Sequence, residues 1–307
     1  MPDKPQTLLL SATASLVFMA SAWSSSAAVG DLSLSVPMLG STVVMKTSSK
    51  FAGAVYSLVF RGRQFINSAD HGRELQSDVF FGGYGICDNP TEAGSRADGN
   101  KNTTSSVLEW SRAEGNQLWT VTRMAFWLQP GQAAYPKGCG RTSLERAVNT
   151  TVTSRDTVKE HFTVGLPNFP NVIRDKVTFY ISKRHKSAVF EALTGYVPKD
   201  FSRALYYHPK TKEAVSAGAR QGEQKYPVIL ATPDNRYAIA VYSPELPQPA
   251  WPKAGYGRFS FKNVNKWNCV FRESDIQKKP YSFECFIVLG TLRQVEGTLS
   301  RLYAYNK

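Results

Sequence analysis

Ionisable side chains and glycines are concentrated between Asp70 and Gly99. These thirty residues hold one histidine, two arginines, two glutamates, four aspartates and six glycines. His71 can donate or take a proton near neutral pH, and Glu92 is a carboxylate on a loop with no helix to explain it. We predict His71 and Glu92 as catalytic residues; in the alternative interpretation His71 and Asp70 only hold a turn.

Glu191 is the third predicted catalytic residue. It interrupts the apolar stretch "VFEALTGY", where burial would raise the pKa of its carboxyl unless a cation or hydrogen bonds hold its charge. It is therefore either a paired core residue or a catalytic acid. In a hydrolase, Glu92 with Glu191 or Asp70 would flank a glycosidic bond, and their separation would decide between inversion and retention.

A lyase would need a different arrangement of residues. The planar guanidinium of Arg73 can hold a carboxylate or sulfate through two parallel hydrogen bonds, although an ion pair with a neighbouring glutamate would also explain it. Arg73 or Lys266 would neutralise a uronate carboxylate while His71 or Tyr207 removes the adjacent proton.

Aromatic faces are the other requirement of a sugar site. Trp127, Trp251 and Trp267 stand in or beside polar stretches, and an exposed indole face can pack against a sugar ring. Trp251 is the best such platform, whereas in the alternative interpretation Trp267, beside Cys269, only covers a disulfide; Trp110 and Trp119 are predicted to lie in the core. The predicted substrate-binding residues are Asp70, Arg73, Trp127, Tyr207, His208, Trp251 and Lys266.

Strand patterns dominate the elements that must position these residues. Eleven stretches are rich in Val, Ile, Thr, Phe and Tyr, several alternate with period two, and turn-forming residues separate them. One helix is predicted in the C-terminal "LRQVEGTLSRLYAYN". So many strands joined by turns predict an all-β fold, a large antiparallel β-sandwich, as one catalytic or glycan-binding domain over residues 29–307.

The N-terminus has the layout of a secretory signal peptide. Residues 1–28 contain Lys4, an apolar run and then small residues. The run is shorter than the roughly 20 residues that a membrane-spanning helix needs. We expect a mature chain that begins near Val29, is secreted or periplasmic and has no integral membrane segment.

The four cysteines predict two disulfides, because an even count is typical of exported proteins. Of the three possible pairings we favour Cys87 with Cys139 and Cys269 with Cys285. No C-x-x-C spacing supports a metal site, and we predict neither a metal nor a cofactor.

The charge of the chain favours acidic partners. Lys and Arg number 37 against 24 Asp and Glu, a net charge of +13, which suits anionic glycans but also serves solubility. Motifs of serine hydrolases, zinc peptidases, NTPases and dinucleotide enzymes are missing. The sequence lacks the interleaved aromatic and basic residues of a nucleic-acid-binding surface, so we predict no nucleic-acid partner.

Several stretches resemble galactose-mutarotase-like proteins. "GAVYSLVFRGRQFIN" (53–67) resembles their first hairpin, and "DHGRELQ", "NPTEAGSRADG", "AFWLQPG", "FEALTGY", "VYSPELPQP" and "GYGRFSF" are similar to an exported bacterial group of the same broad kind. The resemblance implies a supersandwich that binds a carbohydrate against a concave sheet, in a family of epimerases, glycoside hydrolases and polysaccharide lyases. The late glutamate of an E-x-Q-type context, the base of mutarotases, is not found.

Taken together, the sequence predicts a secreted carbohydrate-active enzyme. It would cleave a polysaccharide or oligosaccharide by acid/base catalysis in a concave cleft, as a glycoside hydrolase or a polysaccharide lyase, and the basic charge favours an anionic glycan. The alternative is a non-catalytic secreted glycan-binding or envelope protein.

Overall fold

The computed structural model describes residues 30–135, 138–140 and 143–305, so the predicted signal peptide lies outside the described residues. Strands make up most of these residues, with two short 3-10 helices at Ser49–Phe51 and Gly85–Asp88 and one α-helix, α1 (Leu292–Tyr305). The strands are β1 (Ser33–Met38), β2 (Ser41–Thr47), β3 (Val55–Phe60), β4 (Arg63–Gln64), β5 (Gln76–Phe81), β6 (Pro90–Thr91), β7 (Val107–Glu114), β8 (Gln117–Phe126), β9 (Thr153–Leu166), β10 (Phe169–Tyr180), β11 (His185–Pro198), β12 (Arg203–His208), β13 (Glu213–Ser216), β14 (Gly222–Gln224), β15 (Val228–Ala231), β16 (Ala238–Tyr242), β17 (Tyr256–Ser260), β18 (Val264–Ile276) and β19 (Pro280–Gly290).

One sheet of 15 strands forms most of the molecule. Its order is β13-β12-β15-β16-β19-β10-β9-β8-β6-β5-β11-β18-β17-β14, with β7 paired to β8, and β1 to β4 form a smaller sheet. One apolar core takes side chains from β5, β11 and β18 and also from β9, β10 and β19. The two halves of the large sheet therefore face each other, which confirms the predicted antiparallel β-sandwich.

Alternation along each strand separates an inner side, which faces this core, from an outer side. On β9, Val158 and Phe162 are buried while Lys159 and His161 are partly exposed. Successive side chains of a strand point to opposite faces of the sheet. Alternate side chains of each strand therefore pack into the core or lie on the outer surface.

Both predicted disulfides form, Cys87 with Cys139 and Cys269 with Cys285. β18 and β19 are consecutive in the chain but are not neighbours in the sheet. Since Cys269 and Cys285 both lie in the shared core, their bond joins the two layers of the sandwich. The Cys87–Cys139 bond ties the 3-10 helix after β5 to the segment that follows β8.

The C-terminal helix is also present as predicted. Val295, Leu299 and Leu302 of α1 are buried against the outer side of β16 and β19, where they share a second apolar cluster with Tyr242 and Phe286. No helix within the described ranges is long and apolar enough to cross a membrane.

Three tryptophans differ from their sequence predictions. Trp110 is 44% exposed, and Trp119 is partly exposed on the outer side of β8, so neither belongs to the core. The reason is that β7 and β8 pack against the molecule only through their inner side. Trp267, predicted beside a polar surface, is fully buried in the core.

Candidate active site

A cavity of about 460 Å³ opens on the outer side of β5, β11 and β18. Strand alternation explains which side chains reach it: Asp78 and Lys266 point outward, while Val79 and Trp267 point into the core. Tyr196 of β11 completes the floor. Neighbouring strands thus place a carboxyl, an ammonium and a phenol in one pocket.

A pair of neighbouring carboxyls belongs to this part of the sheet. Asp78 and Glu191 are direct cross-strand partners of β5 and β11, and Asp78 lines the cavity. Lys266 Nζ donates to Glu191 Oε2 at 2.5 Å and stands 5.3 Å from the centroid of the Tyr196 ring. Glu191 therefore lies on the same side of the sheet as the two pocket-lining groups, beside Asp78 and paired with Lys266.

Burial and neighbouring charges set the protonation of these groups. Burial, together with the Glu191 charge, raises the pKa of Asp78 well above its usual range, against the opposing effect of Lys266. These effects favour the protonated form of Asp78. Burial opposes the charge of Lys266, but Glu191 and its other neighbours raise the pKa of the ammonium overall.

Tyr196 is the remaining titratable group of the floor. Burial raises the pKa of its phenol to about 12, although the charge of Lys266 works against this shift. A phenol with so high a pKa stays protonated at neutral pH. Tyr196 is therefore a proton donor rather than a base.

The rim of the pocket carries a second cation. Arg73 Nε lies 3.2 Å from Asp70 Oδ2, and each side chain is about one-third exposed, 32% and 33%. The ion pair is therefore with Asp70 rather than with a neighbouring glutamate. Because one edge of the guanidinium engages Asp70 and both residues line the cavity, the rim offers a positive and a negative group to a ligand.

Aromatic side chains form the wall opposite the strands. Trp127 lines the cavity, and its Nε1 donates to the hydroxyl of Tyr135 at 3.4 Å. The backbone at Gly72 passes so close to the indole that a Cβ there would lie 2.6 Å from Cη2 of Trp127. A glycine at position 72 thus allows the loop to lie flat against the aromatic wall.

The cavity continues beyond Tyr135 into a second one of about 730 Å³. Phe80, Ile86 and Tyr135 line both, and Cys139 lines the second. The Cys87–Cys139 disulfide therefore forms part of the wall itself. The joined cavities leave room for a ligand longer than one sugar ring.

Four of the predicted substrate-binding residues line the first cavity: Asp70, Arg73, Trp127 and Lys266. Sequence reasoning missed Asp78 and Tyr196. For Asp78 a signal was present, since a lone carboxylate in the strand "QSDVFF" is the same feature that singled out Glu191.

His71 does not reach the cavity. It is 1% exposed and its ring lies between two backbone acceptors, with Nδ1 2.7 Å from the carbonyl oxygen of Gly99 and Nε2 2.8 Å from that of Lys50. The imidazole also packs 5.0 Å from the ring of Phe51. These contacts fit the interpretation in which His71 fixes the loop.

Glu92 lies in the interior of the sandwich. Its Oε2 accepts a hydrogen bond from the backbone of Ser77 at 2.9 Å, and Ser77 Oγ donates to Glu160 at 2.6 Å. Burial and the charge of Glu160 raise the pKa of Glu92 well above its usual range. Because Ser77 and Asp78 point to opposite sides of β5, Glu92 is behind the floor and not in the pocket.

The other predicted binding residues lie away from the cavity. Tyr207 is fully buried and stacks at 5.8 Å on Tyr303 of α1. His208 packs 4.1 Å from Tyr226. Trp251 is partly exposed on the loop between β16 and β17. The structure therefore brings only part of the predicted set together.

Within the described residues, no group of three or more His, Cys, Asp and Glu side chains is placed to hold a metal ion.

No model of a known protein family and no curated protein matches this chain. Solved structures do. A galactose mutarotase-related enzyme from Lactobacillus acidophilus is 10% identical, with 86% of this chain and 99% of that chain covered and a TM-score of 0.43. A protein in glycosyl hydrolase family 38 from Enterococcus faecalis is 11% identical, with 86% and 31% covered and a TM-score of 0.50. A heparan sulfate lyase from Pedobacter heparinus is 8% identical, with 86% and 35% covered and a TM-score of 0.38.

At such identities the likeness concerns the fold. Galactose mutarotase-related enzymes, the group that the sequence resembles, are among the matched structures. The substrate and the reaction have to be argued from the pocket.

Proposed function

We propose that the protein is a carbohydrate-active enzyme that cleaves an anionic polysaccharide by β-elimination in the pocket of Asp78 and Lys266. One observation carries the proposal: Asp78 with its cross-strand partner Glu191, the cations of Lys266 and Arg73, and the Tyr196 phenol come together at one cavity with an aromatic wall. Proton-transfer enzymes place acids and bases in this way beside the substrate. The two disulfides support a periplasmic or extracellular location.

The spacing of the carboxyls favours elimination over hydrolysis. Glycosidases that retain configuration hold their two carboxyls about 5 Å apart, and inverting ones hold them roughly 6.5–9.5 Å apart. Asp78 and Glu191 are directly opposite each other on β5 and β11, where Cβ atoms of cross-strand partners lie about 4.5–5.5 Å apart. Both carboxyls therefore start side by side on one face of the sheet, whereas the two carboxyls of a glycosidase flank the glycosidic bond.

In the proposed elimination each group has one task. Lys266 and Arg73 bind the uronate carboxylate, which acidifies the hydrogen on the adjacent carbon. The Asp78–Glu191 pair, which holds one proton, accepts that hydrogen as a second proton. The C–H electrons form a carbon–carbon double bond, the bond to the leaving oxygen breaks, and the Tyr196 phenol protonates that oxygen. Solvent then restores both groups.

The test is a product analysis on polygalacturonate, alginate, heparin, hyaluronan and neutral dextran in water enriched in ¹⁸O. Elimination yields ultraviolet absorbance from a double bond conjugated with the carboxylate, and no ¹⁸O at the new ends. Reducing ends that carry ¹⁸O and lack this absorbance would show hydrolysis instead. Binding without any product would favour the non-catalytic alternative.

Two variants should lose activity by about 100-fold or more, the usual contribution of acid–base catalysis. These are Asp78→Asn and Glu191→Gln. The matched control is Glu223→Gln, which removes a carboxylate that pairs with Arg272 and does not line the cavity. Similar losses in all three variants would contradict the proposed site.

A further inference from the structure

The outer side of β7 to β10 carries aromatic and basic side chains that the pocket does not use. Trp110 of β7 is 44% exposed and Tyr180 of β10 is 45% exposed. Trp119 of β8 stacks at 4.9 Å on His161 of β9. Exposed apolar side chains that lie together on one surface indicate an interaction site, whereas singly scattered ones do not.

The strand register places these residues on one face. Trp119 is the cross-strand partner of both Arg112 on β7 and His161 on β9, and Lys159 is the partner of Thr178 on β10. Directly opposite residues of antiparallel strands point to the same side, and neighbouring strands are about 4.8 Å apart. The four strands thus share one outward surface, which we name the β7–β10 face.

Positive charge is concentrated at the centre of the β7–β10 face. Three arginines of this face pair with glutamates: the ion pairs are Arg112–Glu114, Arg123–Glu109 and Arg174–Glu284. Lys159 and Lys176 form no ion pair among the described residues, and Glu284, the cross-strand partner of Lys176, pairs with Arg174 instead. Burial first, and then the charges of Arg174, Lys159 and Lys176, lower the pKa of His161, which places these cations around the imidazole.

The β7–β10 face is distinct from the pocket. The inner sides of β8, β9 and β10 contribute Leu118, Phe162 and Val177 to the core, and the inner side of β5 and β11 contributes Val79 and Phe190 to the same core. The β7–β10 face and the pocket therefore belong to opposite layers of the sandwich and open outward on different sides.

We propose that the β7–β10 face binds an extended polysaccharide that carries carboxylates. The indole of Trp110 and the phenol of Tyr180 offer flat apolar surface to sugar rings, and Lys159 and Lys176 offer ammonium groups to the carboxylates. The net charge of +13 attracts such a polymer at long range. This binding site goes beyond the proposed pocket chemistry and does not depend on it.

The interspersed glutamates favour a polyuronate over a nucleic acid. Duplex DNA carries one negative charge per roughly 1.7 Å of its axis. In any orientation on the β7–β10 face, its phosphates would therefore lie near the carboxylates of Glu109, Glu114 and Glu284 and be repelled by them. A polyuronate has more widely spaced charges and neutral hydroxyls between them. Hydroxyls can donate hydrogen bonds to the same glutamates.

Affinity electrophoresis through gels that contain polygalacturonate tests the proposal, with dextran gels as the neutral reference. All proteins carry Asp78→Asn, so that the polymer stays intact and the result does not depend on pocket activity. Trp110→Ala and the pair Lys159→Gln/Lys176→Gln should each weaken retention by about tenfold. Thermal unfolding confirms that each variant folds.

Matched controls lie elsewhere on the surface. Tyr305→Ala removes an aromatic side chain that is 69% exposed on α1, and Lys210→Gln/Lys253→Gln removes two exposed lysines from loops. Both should retain polygalacturonate binding within about twofold. Equal weakening by the control lysines, or unchanged binding by the β7–β10 variants, would overturn the proposal, as would tighter binding of duplex DNA at equal salt.

Discussion

Lys266 is held in place by Glu191 on the neighbouring strand, and only 11% of each side chain is exposed. Removing one partner of such a pair leaves a buried charge uncompensated and costs about 3–5 kcal/mol. We expect Lys266→Met to lower the free energy of unfolding by this amount, because Glu191 would then face Asp78 alone.

The double variant Lys266→Met/Glu191→Leu should lose much less stability, since replacing both partners of a buried pair by apolar residues is often close to neutral. Urea unfolding of the single and double variants measures the difference. Equal losses in the two would show that charge compensation is not the reason for the pairing.

Gly72 controls the position of the Trp127 indole. A methyl group at position 72 would lie 2.6 Å from the ring, closer than any real contact, so Gly72→Ala must displace the wall of the pocket. We expect KM for the polymer to rise by about tenfold or more, with a smaller effect on kcat. Steady-state kinetics measure this, and an unchanged KM would exclude Trp127 from substrate contact.

Sequence reasoning identified Glu191 and Lys266 but not their partner Asp78. A lone charged residue in an apolar strand is visible in the sequence, whereas its neighbour across the sheet depends on register. His71 and Glu92 show the converse: their loop looks exposed in the sequence, yet backbone acceptors and Ser77 hold both side chains inside. Long-range contacts of this kind leave no local pattern.

The two disulfides act on different elements. Cys87–Cys139 holds the segment that carries Trp127 and Tyr135 over the cavity, whereas Cys269–Cys285 joins β18 to β19 through the core. We expect Cys87→Ser/Cys139→Ser to raise KM while kcat changes little, because the aromatic wall loses its anchor and the floor does not move.

Loss of either disulfide should cost about 2–4 kcal/mol of stability. Cys269→Ser/Cys285→Ser is therefore the control, since it lowers stability without releasing the wall. Kinetics and urea unfolding of both double variants separate the effects. A larger rise in KM for the core disulfide would contradict this assignment.

The strands themselves follow from local patterns. Alternating apolar residues predicted β9, β10 and β11, and the C-terminal stretch was the one place where a helix was predicted, which is α1. Which outer face stays uncovered is not a local property. Trp110 and Trp119 read as core residues in the sequence because nothing there shows that the outer side of β7 and β8 has no covering layer.

Several carboxyl groups in the interior of the protein have raised pKa values. Burial raises the pKa of Asp175 to about 7 and that of Asp88 to about 6, and it raises the pKa values of Glu92 and Glu160 well above their usual range. The folded protein therefore binds protons that the unfolded chain has released. Stability is present at acidic pH and is lost as pH rises through the raised pKa values.

We expect the free energy of unfolding to fall between about pH 4 and pH 7, by up to about 1.4 kcal/mol per pH unit for each proton held. Asp175→Asn should flatten this slope, and the exposed control Glu213→Gln should not. Urea unfolding across the pH range measures both. Stability that rises with pH over this interval would contradict the assignment of protonated interior carboxyls.

At the level of the molecule, the strand count and the cysteines predicted the sandwich and both of its disulfides. The positions of the pocket and of the β7–β10 face on opposite layers depend on how a single sheet of 15 strands folds back on itself. This closure brings β5 next to β11 and places β18 in the opposite layer from β19. No sequence pattern in either pair of strands specifies that partner choice.

The binding position of a uronate oligosaccharide is the most direct test of the proposed active site. A crystal structure of the Asp78→Asn variant soaked with oligogalacturonate should show a sugar ring against Trp127 and its carboxylate within hydrogen-bond distance of Lys266 or Arg73. An oligosaccharide bound only on other surfaces, with the pocket of Asp78 and Lys266 empty at saturation, would contradict the proposal.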